Sequence, residues 1–249
     1  MNYLVATSRG GGLQKRMPKG YIDVDAVLPG RSIDKITRHA LSLLPNSHRA
    51  RSDSHIYILA GLPDVTTRVK SEEPSYRYVE SIFVESPDQV IQRVNQEFDK
   101  CARDIARAGA VPIFCTVVGC NIEKYNRQLL NSGQTHYLHH SDHYSQWQIE
   151  INHVMKEINA HIININRRNG MATPHLHSDI TEHRGKKKRY YITKWERLHD
   201  GVHGTDATKT LWAKTIARAI EINREKSESD NELNSPKRSW KGEKRQRTE

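Results

Sequence analysis

Short apolar runs alternate along this chain with segments whose apolar residues recur at helical spacing. The runs, each a candidate buried strand, are residues 3–7, 24–28, 56–60 and 111–118. The helical segments are residues 33–44, 88–108, 147–166 and 205–224. Strands that alternate with helices bury both faces of a parallel sheet. The sequence therefore predicts an α/β fold with three layers, in which a doubly wound, mostly parallel sheet carries helices on both faces.

One domain over residues 1–224 accounts for all of these elements. Within it, residues 66–87 and 119–145 are polar and weakly periodic, which predicts two long loops. Residues 225–249 are rich in serine, glutamate, lysine and arginine and almost free of aliphatic side chains. That composition predicts a disordered, basic C-terminal tail.

The formal net charge is +10, which favours polyanionic partners such as nucleic acid. One basic cluster precedes two tyrosines and a tryptophan, a mixture compatible with binding of single-stranded nucleic acid. Its cations are Lys186, Lys187, Lys188 and Arg189. The alternative is that this segment is only a charged loop between the sheet and the last helix. A second cluster, within residues 236–247, is typical of nuclear-import or polyanion-binding tails.

The cysteines and the N-terminal sequence give a prediction of the cellular compartment. The cysteines number three, in neither a zinc-ribbon nor a CxxC spacing, as expected for thiols in a reducing compartment. The N-terminus shows no basic segment followed by an apolar one, and no apolar run approaches the roughly 20 residues of a membrane helix. We therefore expect a soluble, intracellular and cytoplasmic protein, with entry into the nucleus as an alternative.

The sharpest chemical signal is Asp200-Gly201-Val202-His203, which lies just before the last predicted helix. An aspartate three residues before a histidine can bond one imidazole nitrogen and leave the other facing a nucleophile. The pattern predicts a general base with the carboxylate that orients it. Taken alone, it also fits a helix cap beside a surface histidine.

Three further segments follow predicted strands, and the carboxyl ends of parallel strands converge at one edge of a sheet. They are Ala6-Thr7-Ser8, Pro29-Gly30 and Gly61-Leu62-Pro63-Asp64. Together with residues 200–203, these segments resemble the four conserved blocks of the SGNH (GDSL) hydrolases, in the family's order. Ser8 stands at the serine of the family's Gly-Asp-Ser, although the two residues before it differ. Pro63 stands where the family has an asparagine. A weaker resemblance, through the Pro-Gly-Arg-Ser-x-x-Asp element, is to esterase-like domains encoded by mobile genetic elements.

The resemblance implies a flavodoxin-like α/β domain and a catalytic triad. Ser8 would be the nucleophile, His203 the general base and then acid, and Asp200 the group that fixes the imidazole tautomer. The substrate would be an ester-containing small molecule or an acylated molecule, and neither a metal nor an organic cofactor is expected. Contacts to the substrate are expected from residues that follow the strand ends, namely Arg9, Gly61 and Asp64.

The resemblance also implies an oxyanion hole formed by the backbone N–H groups of Ser8 and Gly30. The family's asparagine would supply a third donor, but Pro63 has neither an amide side chain nor a backbone N–H. Asn121, after the fourth predicted strand, is the candidate replacement. Loss of one such donor lowers turnover by about 10²–10³-fold where it has been tested.

Two alternative functions follow from the departures from the family pattern and from the distribution of the histidines. The chain could be a catalytically impaired binding or assembly module of the same fold that contacts nucleic acid or another polyanion. A weaker alternative is a metal-dependent phosphoester hydrolase, because histidines crowd residues 136–143 and alternate in a strand-like pattern over residues 175–179.

Overall fold

The computed structural model describes residues 1–69, 80–83, 85–184 and 190–234. Its strands are β1 Asn2–Ala6, β2 Val24–Val27, β3 His55–Leu59, β4 Thr67–Val69, β5 Glu80–Ile82, β6 Val111–Phe114, β7 Thr181–Arg184 and β8 Tyr190–Thr193. Its α-helices are α1 Ile33–Ser42, α2 His48–Ser52, α3 Leu62–Val65, α4 Pro87–Arg107, α5 Ile122–Asn131, α6 Tyr144–Arg168 and α7 Asp206–Asn234. Short 3₁₀ helices cover Ser8–Gly10, Gln14–Arg16, Ser141–His143, Leu176–Ile180 and Trp195–Arg197.

The central sheet has four parallel strands in the order β2-β1-β3-β6. The chain moves outward from β1 to β2 and then crosses to β3 on the other side of β1. Strand order therefore reverses beside β1, and a doubly wound sheet has its binding crevice at such a reversal, outside the carboxyl ends of the strands. Ser8 lies two residues past the end of β1.

Side chains alternate between two hydrophobic cores, one on each face of the sheet. In β1, Tyr3 and Val5 point into the core shared with α1, α4 and α6, whereas Leu4 and Ala6 point into the core shared with α7. The fully buried Trp212 is a large member of the second core. The predicted three-layer, doubly wound α/β fold is confirmed.

The two segments predicted as long loops contain regular structure. Residues 119–145 include α5, whose buried side chains are spaced over only ten residues and so give a weak periodic signal. Residues 66–87 include β4 and β5, which pair as an antiparallel ribbon. The sequence did not predict β4 and β5, because three residues are too few to show the alternation of a strand.

The last helix runs ten residues beyond the end predicted for it, so residues 225–234 are helical rather than part of a tail. Glutamate and lysine are good helix formers, and Lys226 Nζ donates a hydrogen bond of 2.7 Å to the carbonyl of Gly170. Residues 235–249 of the predicted tail lie outside the described residues, as do Lys186 to Arg189 of the predicted basic cluster. Within the described part of the chain, no helix has the length and apolarity needed to cross a membrane.

Candidate active site

Ser8 begins a single 3₁₀ turn that directly follows β1. The turn folds back onto the strand, and a Cβ on Gly10 would lie 2.2 Å from the Cβ of Ala6. Only glycine allows so close an approach. The amide of Thr7 donates to the carbonyl of Leu59 at 2.9 Å, which holds the end of β1 beside β3. Ser8 is thus fixed at the carboxyl edge of the sheet.

The same turn directs Arg9 inward. Arg9 is 2% exposed, and its guanidinium donates to the carbonyls of Val118 and Gly119 after β6. Burial lowers the pKa of Arg9 to about 10, a shift that Cys120 and Asp200 oppose. Arg9 is thus a buried cation that ties the Ser8 turn to the loop after β6, and its predicted contact with substrate stays a prediction. The sequence could not show this, because the inward direction depends on the tight turn at Gly10.

Asp200 and His203 share a compact turn ahead of α7. Oδ1 of Asp200 accepts hydrogen bonds from the backbone amides of Val202 at 2.9 Å and His203 at 2.6 Å. The turn is closed by a bridge between Leu198 and Gly204. It is attached to α5, since the amide of Asn121 donates to the carbonyl of Gly201 at 2.8 Å.

Ser8, His203 and Asp200 form a continuous line of hydrogen bonds. The distance from Ser8 Oγ to His203 Nε2 is 2.8 Å, and that from His203 Nδ1 to Asp200 Oδ2 is 2.6 Å. Because a carboxylate only accepts, Nδ1 carries the proton and Nε2 presents its lone pair to the serine hydroxyl. The three groups can therefore move a proton from Ser8 to His203 while Asp200 balances the charge.

The environment keeps Asp200 ionised. Burial by itself would raise its pKa, but the hydrogen bonds from the His203 ring and from the two backbone amides outweigh burial and lower the pKa well below its usual range. The side chain of Asp200 is 13% exposed and that of His203 25%, so solvent reaches the imidazole. An ionised carboxylate at neutral pH is what an orienting group needs.

The geometry of Gly201 explains why a glycine follows Asp200. Its φ is +84°, and a Cβ there would lie 2.6 Å from the carbonyl oxygen of Asn121. We expect Gly201→Ala to lower the free energy of unfolding by more than the roughly 1–3 kcal/mol of a strained backbone angle, because the Asp200 turn must also move away from α5. Urea denaturation would measure this loss.

Gly133→Ala is the matched control for Gly201→Ala. Gly133 also has a positive φ, +70°, but no atom lies within 4 Å of its Cβ position. The control should show the backbone strain alone. Equal losses in the two variants would contradict the close contact with α5.

The predicted oxyanion donors lie near the site, and their role stays a prediction. Gly30 follows β2, and the amide of Leu28 donates to the carbonyl of Ala6 at 2.7 Å, which places this loop beside the Ser8 turn. The carboxamide oxygen of Asn121 accepts from the amide of Lys124 at 2.8 Å and caps α5. The side-chain NH₂ group is therefore the part of Asn121 that remains for the predicted role, beside the amides of Ser8 and Gly30.

Gly61 and Asp64 have structural partners that the sequence did not indicate. Gly61 is buried, and a Cβ on it would lie 2.9 Å from a methyl group of Val117. Both carboxylate oxygens of Asp64 accept from the amide of Ile33 at 3.2 Å, so this side chain caps α1, and its predicted contact with substrate stays a prediction.

Asp64 gives a prediction for stability against pH. Burial raises its pKa to about 7, although the Ile33 amide and Arg93 oppose the shift. The unfolded value is about 3.9, so the folded state binds more protons between about pH 4 and pH 7 and loses stability as the pH rises through that range. We expect Asp64→Asn to reduce this fall by at least about 1.4 kcal/mol, the equivalent of one pKa unit. Urea denaturation at about pH 4 and about pH 7 would measure the fall in the free energy of unfolding. An equal fall in the wild type and in Asp64→Asn would contradict the prediction.

The two histidine-rich segments do not gather metal ligands among the described residues. Glu80, which is fully buried, accepts from the backbone amides of His139 and His140 and from the His140 ring, so it anchors that segment to β5. Residues 176–180 are a 3₁₀ helix and not the strand-like segment predicted, and Nδ1 of His177 lies 3.0 Å from the Thr116 hydroxyl. Burial lowers the pKa of His177 to about 4.

His199 lies beside the Asp200 and His203 side chains, and the sequence analysis did not predict this. His199 precedes Asp200, and its ring lies beside that of His203, with centroids 5.9 Å apart. In the described part of the chain, His199, Asp200 and His203 form the group of ligating side chains close enough together for a metal ion. The signal was visible as two histidines that flank one aspartate.

Comparisons with known proteins agree with this geometry at the level of the fold. No family model matches the sequence, and no curated protein is significantly similar to it. The structure is similar to a GDSL-like lipase from Bacteroides thetaiotaomicron VPI-5482, with a TM-score of 0.54 and 13% identity over 89% of this chain and 88% of the lipase. It is also similar to an acetyl xylan esterase, with a TM-score of 0.51 and 12% identity over 88% of this chain and 98% of the esterase.

The chain has the SGNH/GDSL hydrolase fold, as the four sequence segments predicted. A fold of this kind supports many chemistries, so the activity must be argued from the site itself.

Proposed function

We propose that this chain is a serine acyl hydrolase that cleaves ester bonds through Ser8, His203 and Asp200. The observation that carries the proposal is the unbroken hydrogen-bond line from the Ser8 hydroxyl to the Asp200 carboxylate. The Ser8 and His203 groups come from opposite ends of the sequence. Nucleophilic catalysis requires a base within hydrogen-bond reach of the nucleophile, and these two groups lie 2.8 Å apart.

The chemistry proceeds in two stages. The Ser8 oxygen attacks the ester carbonyl while His203 Nε2 takes the hydroxyl proton, and the protonated imidazole then gives that proton to the departing alcohol. The acyl group remains on Ser8. His203 then deprotonates a water molecule, which attacks the acyl-enzyme. As the acid leaves, His203 returns the proton to the Ser8 oxygen and the serine is restored.

The oxyanion hole is the weak part of the site. Pro63 is the second residue of α3, two residues after Gly61, and it cannot donate a hydrogen bond from its side chain or its backbone. The proposed donors are the amides of Ser8 and Gly30 and the side-chain NH₂ group of Asn121. We infer slow turnover compared with an enzyme that has all three family donors.

A fluorophosphonate probe tests the proposal, because it reacts covalently with serines activated by a base. We expect the full chain to be labelled at Ser8 and the Ser8→Ala variant to be unlabelled. Ser178 is an unrelated serine, and Ser178→Ala should label as the wild type does. Absence of labelling at Ser8 in folded protein would contradict the proposal.

The second candidate is a binding module of the same fold with impaired catalysis, and the observation that favours it is Pro63 in place of an oxyanion donor. Its proposed partner is nucleic acid or another polyanion, since the net charge is +10. Binding of a single-stranded oligonucleotide should then weaken steeply as salt is added, because phosphate contacts release counterions. Binding that is absent at low salt would exclude this candidate.

A further inference from the structure

His199 makes a contact that fixes its tautomer. Nδ1 of His199 lies 3.1 Å from the backbone carbonyl oxygen of His203. A carbonyl can only accept, so Nδ1 carries the proton and Nε2 of the neutral ring carries a lone pair. That nitrogen lies 3.7 Å from Oδ2 of Asp200. In the neutral ring, two electron-pair donors therefore face each other, an arrangement that a cation between them would stabilise.

The same carboxylate oxygen is the one that meets His203. Oδ1 of Asp200 is occupied by two backbone amides, whereas Oδ2 lies between the two imidazole rings, 2.6 Å from Nδ1 of His203. One ligand atom from each of the three residues lies within 4.8 Å of the others. His199 is 59% exposed at its side chain, so an ion can enter from solvent.

We propose that His199 Nε2, Asp200 Oδ2 and His203 Nδ1 bind a zinc-class divalent cation, and that this ion switches the hydrolase off. Two imidazole nitrogens and one carboxylate oxygen are a ligand set that suits Zn²⁺, with an open position for water. The inhibition rests on the proposed serine hydrolase function, whereas the binding of the ion does not.

The inhibition follows from the tautomer of His203. A metal on Nδ1 requires the lone pair of that nitrogen, so the ring proton moves to Nε2 and faces the Ser8 hydroxyl. His203 can then no longer accept the serine proton. The ion also neutralises Asp200, which would otherwise stabilise the imidazolium.

Calorimetric titration of the full chain with ZnCl₂ in a non-chelating buffer tests the site without any assay of activity. We expect one zinc ion per chain in the wild type, and an affinity lower by about tenfold or more in His199→Gln, since loss of a metal partner has at least that effect. His153→Gln is the matched control, because His153 is an exposed histidine on α6 outside the group. It should bind zinc as the wild type does.

The second readout is the rate at which the fluorophosphonate probe labels Ser8. Zinc should slow labelling of the wild type, a chelator should restore it, and His199→Gln should need about tenfold more zinc for the same effect. Equal zinc affinity in the wild type and His199→Gln would overturn the site. Zinc that binds through His199 without slowing the labelling would overturn the inhibition. Failure of labelling before zinc is added would instead contradict the hydrolase function, and the calorimetric result would still decide the site.

Discussion

Asp200→Asn is expected to lower kcat for a simple ester by about 10⁴-fold while the fold is retained. The asparagine oxygen can keep the two backbone hydrogen bonds that Oδ1 of Asp200 now accepts. Its NH₂ group must then face Nδ1 of His203, which becomes an acceptor. The ring proton moves to Nε2, so the base that should receive the Ser8 proton is lost. Hydrolysis of a p-nitrophenyl ester would measure the effect.

Asp206→Asn provides the control for this substitution. Asp206 lies six residues further along, is exposed, and pairs with Arg16 at 2.6 Å. The same change of acid to amide there should leave kcat nearly unchanged. Asp206 lies outside the line of hydrogen bonds from Ser8 to Asp200, and an exposed ion pair contributes little to stability. A similar loss in both variants would mean that the carboxylate of Asp200 has no special role.

Trp212→Ala is expected to lower the free energy of unfolding by about 3–5 kcal/mol, a large part of the stability of an ordinary domain. Trp212 is fully buried in the core between the sheet and α7. A Cβ on Gly204 would lie 2.9 Å from its ring, so the indole also supports the turn that carries Asp200 and His203. We therefore expect the variant to lose hydrolysis as well, measured at a temperature where it remains folded.

Trp212→Phe keeps an aromatic ring in the core and removes the rest of the indole. Nε1 of Trp212 has no hydrogen-bond partner among the described residues, so phenylalanine removes an unsatisfied polar group as well as volume. We expect Trp212→Phe to lower the free energy of unfolding by less than about 1.5 kcal/mol. Denaturant unfolding curves that place Trp212→Ala within about 1 kcal/mol of the wild type, roughly the size of a surface effect, would contradict this packing.

The sheet and the Ser8, Asp200 and His203 positions were accessible to sequence reasoning because their signals are local. Buried strands such as β3 are continuous apolar runs, and α4 shows a clear apolar face. Convergence of Ser8, Gly30 and Gly61 was expected because the ends of parallel strands share one edge, whereas the meeting of Ser8 with His203 was implied by the family resemblance.

The remaining parts of the site depend on contacts that the sequence does not encode locally. Arg9 follows the predicted nucleophile, and only the tight turn at Gly10 shows that its side chain is buried. Asp64 looked free to bind substrate, but α1 begins against its carboxylate. His199 was overlooked because a lone histidine beside the motif has meaning only once its ring is known to lie against Asp200.

The most direct measurement of the central claim is the mass of the protein after rapid mixing with a p-nitrophenyl ester and acid quench. We expect a transient gain in mass equal to the acyl group, located by peptide mapping on Ser8 and absent from the Asp200→Asn variant at the same mixing time. Release of p-nitrophenol by folded wild-type protein with no acyl group on Ser8, or with the acyl group on another residue, would contradict it.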